Sequence, residues 1–219
     1  MTILKFGETS INSVEGIQNI PAVLQQYANK NLMLIIPATS KTTHDLEKIA
    51  EAFYAKKTNE ALHLFNNVKQ QHTQLAGKIL KNNLTECLQK LNDFFTEVEW
   101  LLYDKPVRGF NYYYDQIVCI GEILNSYIVS CFLNENNFKH IWLDARDIIK
   151  TDNNFKQATI NFNETTARIK NTVKPAQSYV TQGFTGCTDE NESATFGNKG
   201  DNYVTDFLAN ILQAEIVII

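Results

Sequence analysis

Basic clusters, cysteine pairs, histidine pairs and low-complexity tracts are all missing from this chain of 219 residues, and each absence removes a class of function. Net charge is −4 and the 20 Lys and Arg residues are scattered, so no basic footprint for nucleic acid exists. Cys87, Cys119, Cys131 and Cys187 are widely spaced, with no CxxC and no neighbouring histidine pair. That argues against a disulfide frame or a zinc site, and for reduced thiols in a cytosol. His44, His63, His72 and His140 carry no metal-ligand spacing. No apolar run reads as long enough to cross a bilayer. The opening MTILKFGETS reads as a strand and a turn, not as a signal peptide. What remains is enough chain for one large α/β domain or two small ones.

The stretch from Tyr179 to Ala214 organises the rest. It holds Gly183, Gly186, Gly197 and Gly200, four of the nine glycines, between a short apolar run and an amphipathic helix. That helix carries Val204, Phe207, Leu208, Ile211 and Leu212 at helical spacing. A strand, a glycine loop and a helix start make a natural anion site, because unpaired N–H groups and the helix dipole face the ligand. The plain alternative is that Asp201 or Asn202 only caps a helix.

Elsewhere, strands are expected at 2–6, 31–37, 138–143, 178–182 and 215–219. Helices are expected near 11–28, from about Leu46, at 61–80, 84–102, 113–133 and 161–170, the last capped near Asn163. The helices between the second and third strands form an excursion from an α/β core. Strand and helix alternate at both ends of the chain, which predicts a parallel sheet with helices on both faces.

Three places draw attention on chemistry alone. Lys5 stands at the carboxyl end of the first strand, beside Gly7, where a parallel sheet opens its ligand cleft. It can neutralise phosphate oxygens or simply reach solvent. Glu122 is the one charged residue between Gln116 and Asn134. A lone carboxylate on so apolar a helix needs a partner, a proton or a cationic ligand, because an unpaired buried charge costs several kcal/mol (roughly). Thr39, Ser40, Thr42 and Thr43 follow the second strand, as ligand hydroxyls or as ordinary turn chemistry.

Taken together, LKFGETS at 4–10, ATSKTTHDL at 38–46, GEILNSYIVSCFL at 121–133, WLDARDIIKTD at 142–152, TQGFTG at 181–186 and TFGNKGDNY at 195–203 resemble the ordered motifs of the aspartokinases. The resemblance implies an amino-acid kinase fold, like that of carbamate kinase: a three-layer αβα sandwich with a mainly parallel sheet and a helical excursion at about 42–135. It implies ATP γ-phosphoryl transfer, with magnesium, to the β-carboxylate of aspartate. By motif position Lys5 is the catalytic lysine, and Asn202 stands at the family's acidic position. Thr43, Glu122, Phe184 (through its backbone) and Asn198 fall at substrate-binding positions, with Glu122 facing the substrate ammonium. Gly7, Thr9, Ser10, Gly197, Gly200 and Asp201 fall in the phosphate loops. The implied ligand is aspartate or another amine-bearing amino acid; a second copy or a true aspartokinase is the implied protein partner.

Several positions depart from the family's pattern. Glu8 replaces a glycine, and a carboxylate ~5 Å from a phosphate charge costs roughly 3 kcal/mol at an effective dielectric near 20. Asn198 replaces an arginine, forfeiting roughly 1.5–3 kcal/mol of charge-assisted hydrogen bonding. Asn202 replaces an acid, Glu192 an arginine and Pro37 a serine. These changes predict a chain that keeps the fold and lacks the reaction, with the nucleotide-binding part expected to lie beyond Ile219. The alternative is a lobe that is active within a longer polypeptide.

Overall fold

A computed structural model describes residues 1–197 and 200–219, and of Asp201 the backbone only. Strand β1 (Thr2–Lys5) pairs in parallel with β2 (Leu32–Ile35) on one side and β7 (Glu215–Ile218) on the other. Next to β2 come β4 (Tyr179–Thr181) and then β3 (Ile141–Trp142), so the order is β3-β4-β2-β1-β7, all parallel. Side chains alternate across this sheet, as the strand period of two requires. Leu4, Leu32, Leu34 and Val180 join one core. Ile3, Met33, Ile35 and Tyr179 join another on the opposite face. The expected three-layer sandwich is therefore present.

The first core is covered by α1 (Val14–Gln25), α2 (Ser40–Tyr54), α3 (Thr58–Ile79), α4 (Leu84–Tyr103), α5 (Phe110–Val118) and α6 (Ile120–Glu135). The second is covered by the short α7 (Ala145–Ile148), α8 (Phe162–Thr172) and α9 (Gly200–Leu212). The chain thus leaves β1 through α1 on one face and enters β7 through α9 on the other. The carboxyl ends of β1 and β7 lie at that reversal, where open α/β sheets place their ligands.

The elements differ from expectation in four respects. The hydroxyl-rich segment after β2 is not a loop: Thr39 caps α2, accepting the N–H of Thr42 at 3.2 Å. The expected single helix at 113–133 is two, α5 and α6, meeting at Cys119. The cap of α8 is Asn161, whose side chain accepts the N–H of Glu164, not Asn163. Between β4 and α9 lies an antiparallel hairpin of β5 (Thr185–Cys187) and β6 (Ser193–Thr195), where only a glycine loop was expected.

The helical stretch Phe110–Glu135 also corrects the reading that no segment is long enough to cross a bilayer, because by length and composition it is. Here its apolar surface meets protein: α6 is buried on nearly every side, as a helix hydrophobic all round must be. Glu135 at its end accepts the N–H groups of Lys81, Asn82 and Asn83, capping α4 from a distance.

Candidate functional site

Lys5 closes β1 with its side chain turned to α9. Its Nζ donates to Asn202 Oδ1 at 2.7 Å. The lysine expected to be catalytic and the residue at the acidic position are therefore neighbours, but the partner is a neutral amide. The first loop has its donors committed elsewhere. The Gly7 N–H and the Ser10 hydroxyl both donate to the Ile219 carbonyl, at 2.9 and 3.0 Å. Glu8 opens a 3-10 turn, Glu8–Ser10, and Thr9 on it is exposed. The residues expected as a phosphate loop link β1 to the end of β7.

Glu122, 4 % exposed, lies in the first turn of α6. Its Oε2 accepts the N–H of Gly183 at 3.1 Å and of Phe184 at 2.8 Å. Two backbone donors are thus among the partners that this carboxylate was expected to need. The expected ligand donor, the Phe184 N–H, is bound to Glu122 itself. One turn along α6, the Ser126 hydroxyl accepts from Gln182 and from Trp142, while Gln182 Oε1 accepts the Ala145 N–H at 2.7 Å. Asn125 donates to the Pro37 carbonyl at 3.2 Å, so the position without a hydroxyl contributes an acceptor. Buried polar groups along α6 in this way hold the exit of β4 in place.

Contacts link these pieces. A Cβ at Gly200 would stand 2.2 Å from the Phe184 ring, so any larger residue at the start of α9 would have to displace that ring. Glu122, Phe184, the start of α9, Asn202 and Lys5 therefore form one continuous chain. Thr43, half-buried on the first turn of α2, donates its N–H to the Thr39 carbonyl. Asn198 and the Asp201 side chain lie outside the described residues.

The hairpin is held by residues no motif singled out. Asp115 on α5 is fully buried; its Oδ2 accepts the N–H of Lys156 and of Thr195, each at 2.8 Å, and its Oδ1 the Thr195 hydroxyl at 2.5 Å. Burial pushes this carboxyl up to about 6, against the pull of those hydrogen bonds. Gln116 clasps both backbone groups of Ser193. Glu192, read as an added negative charge, is paired with Arg108, whose guanidinium also lies 3.8 Å over the Tyr112 ring. That pair neutralises a charge the sequence leaves bare. Beside the hairpin opens a cleft of about 840 Å³, lined by Glu47, Tyr114, Lys156, Phe184, Phe196 and Gly197 among others.

A sequence profile of the amino acid kinase family matches residues 1–219. The chain is 26% identical over 221 residues to the chloroplastic bifunctional aspartokinase/homoserine dehydrogenase 1 of Arabidopsis thaliana, covering 96% of this chain and 23% of that protein. Among solved structures, E. coli aspartokinase III in complex with lysine and aspartate superposes with a TM-score of 0.85 at 18% identity, over 100% of this chain and 48% of that one. Aspartokinase III in complex with aspartate and ADP gives 0.83, with the same identity and coverage. The chain spans between about a quarter and a half of the length of these proteins. At that identity the superpositions bear on the fold.

Proposed function

We propose that this chain, which belongs to the amino acid kinase family, is the acceptor-holding part of an aspartokinase-like protein that binds an amino acid without phosphorylating it on these residues alone. L-Aspartate is the first ligand to consider, because aspartokinase III was solved with it. In this reading the buried Glu122 is the anion that meets the ligand's ammonium group, and Lys5 stands at the mouth of the sheet.

The observation that carries the reading is the Lys5–Asn202 contact, 2.7 Å across the switch point. The lysine is in place at the strand end, while its neighbour is an amide that can neither take a proton nor hold a cation as a carboxylate does. In this reading the donors at the strand ends serve the chain itself and not a nucleotide: Gly7 and Ser10 are bonded to the Ile219 carbonyl.

Calorimetry with L-aspartate and MgATP, singly and together, tests this beside an ADP-release assay. The expected result is heat with aspartate, none with MgATP and no aspartate-dependent ADP. Aspartate-dependent ADP release by this chain would overturn the reading. A second reading, a lobe that turns over within a longer polypeptide, is favoured by one observation: the chain matches only 23% of the Arabidopsis relative's length. In that case further sequence supplies the nucleotide side, and turnover appears once it is joined.

A further inference from the structure

Lys156 occupies a position where lysine is costly. Its φ is +66, in the left-handed region where a side chain clashes with its own backbone and glycine does not. The backbone is pinned there. Asp115 takes the Lys156 N–H at 2.8 Å, and Gly197 is packed so closely that an added Cβ would lie 2.4 Å from the Lys156 carbonyl. A turn of this kind asks for glycine. What lysine adds is its ammonium group, and residues held in unfavourable backbone regions gather at ligand sites.

Lys156 lines the cleft, with its ammonium over two aromatic rings. Nζ lies 3.8 Å from the centroid of the Tyr114 ring and 5.5 Å from that of Phe110. Among the described residues no carboxylate is within ion-pair distance of it. Glu47, the other charge on the described wall, accepts the Tyr114 hydroxyl at 2.7 Å, which fixes the ring beneath the lysine. Phe184 belongs to both sites: it lines this cleft, and its N–H is held by Glu122. Phe184 thus borders both the Glu122 carboxylate and a cleft whose described lining carries one cation and aromatic rings.

The geometry points to Lys156 as the counter-ion for a carboxylate of an acidic ligand in this cleft. The inference rests on the acceptor reading above and adds the residue that would meet the ligand's side-chain carboxylate, the group that an amide analogue lacks. A cation held over aromatic rings, partly out of water, keeps more of its attraction for an anion than one in bulk solvent.

Titration of L-aspartate and L-asparagine into wild type, Lys156→Met and Lys156→Gly, followed by calorimetry, tests it. Wild type should prefer aspartate. Both variants should lose about tenfold in aspartate affinity, the scale of one charge-assisted contact, and leave asparagine unchanged. Lys156→Gly also suits the backbone, so its melting temperature reports whether the fold is intact. Equal aspartate binding by wild type and a folded Lys156→Gly overturns the inference and leaves the acceptor reading standing. If wild type binds no aspartate, the acceptor reading fails, and Lys156 is judged by the NMR shift of its ε-methylene on adding succinate or inorganic phosphate. A saturable shift at low millimolar anion supports the site; no shift overturns it.

Discussion

Two lysines divide the molecule's chemistry between two corners. At the strand ends, Lys5 faces the Asn202 amide and the loop donors around it serve the backbone of β7. At the hairpin, Lys156 sits on strained backbone over Tyr114; Asp115 holds its N–H, and no described carboxylate forms an ion pair with its ammonium. The first corner is the one the motifs name; the second is the one with a cation facing a cleft. The difference teaches that a lysine at a motif position can be engaged within the chain while another, on a loop no motif marks, lines a cleft.

The comparison can be broken most severely at Glu122, which supports the Phe184 wall from behind. Glu122→Ala leaves the Gly183 and Phe184 N–H groups without their buried acceptor, and should cost about 4 kcal/mol in urea denaturation. Glu122→Gln, which keeps an acceptor oxygen, should cost less than half of that.

Asp115 sharpens the hairpin side through pH. Its folded-state value, about 6, lies above its ordinary 3.8, so the folded chain holds this proton more tightly than the unfolded one. Stability from this group is complete below 3.8 and lost as pH rises through about 6. Asp115→Asn should therefore exceed wild type by up to roughly 3 kcal/mol above that range, and match it well below. The amide suits the site: its oxygen can take both N–H groups and its nitrogen can meet Thr195. Burial lowers His72 and His140 instead, so their contribution is present above their ordinary value and lost as pH falls. In Asp115→Asn this acid-side loss should remain in a denaturation series across pH, while the loss on rising pH should shrink to the part left by Asp147, whose carboxyl burial also raises.

Smaller effects separate the two lysines themselves. Lys156→Gly relieves about 1 kcal/mol of backbone strain and gives up a similar cation–ring attraction, so its net change should stay within ~0.5 kcal/mol. Lys5→Met removes an exposed hydrogen bond and should alter stability by no more than ~0.5 kcal/mol.

Much of the sandwich was legible because its strands are short apolar runs and its helices carry strong periodicity. The positions of Lys5 and Asn202 followed from that order. The hairpin was not legible. Its strands, Thr185–Cys187 and Ser193–Thr195, are small and polar, and they are held by Asp115 and Gln116 some 70 to 80 residues away in sequence. Glu122 announced a need for a partner but not which one, since the turn that aims two N–H groups at it has no sequence signal of its own. Lys156 was missed for the same reason. Nothing in DNNFKQA tells that its backbone is left-handed or that Asp115 waits beneath it.

The most direct test of this division is L-aspartate affinity measured side by side in Lys5→Met and Lys156→Met. The account predicts about a tenfold loss in Lys156→Met and less than about a twofold change in Lys5→Met. A loss confined to Lys5→Met, with Lys156→Met binding as wild type, would contradict it.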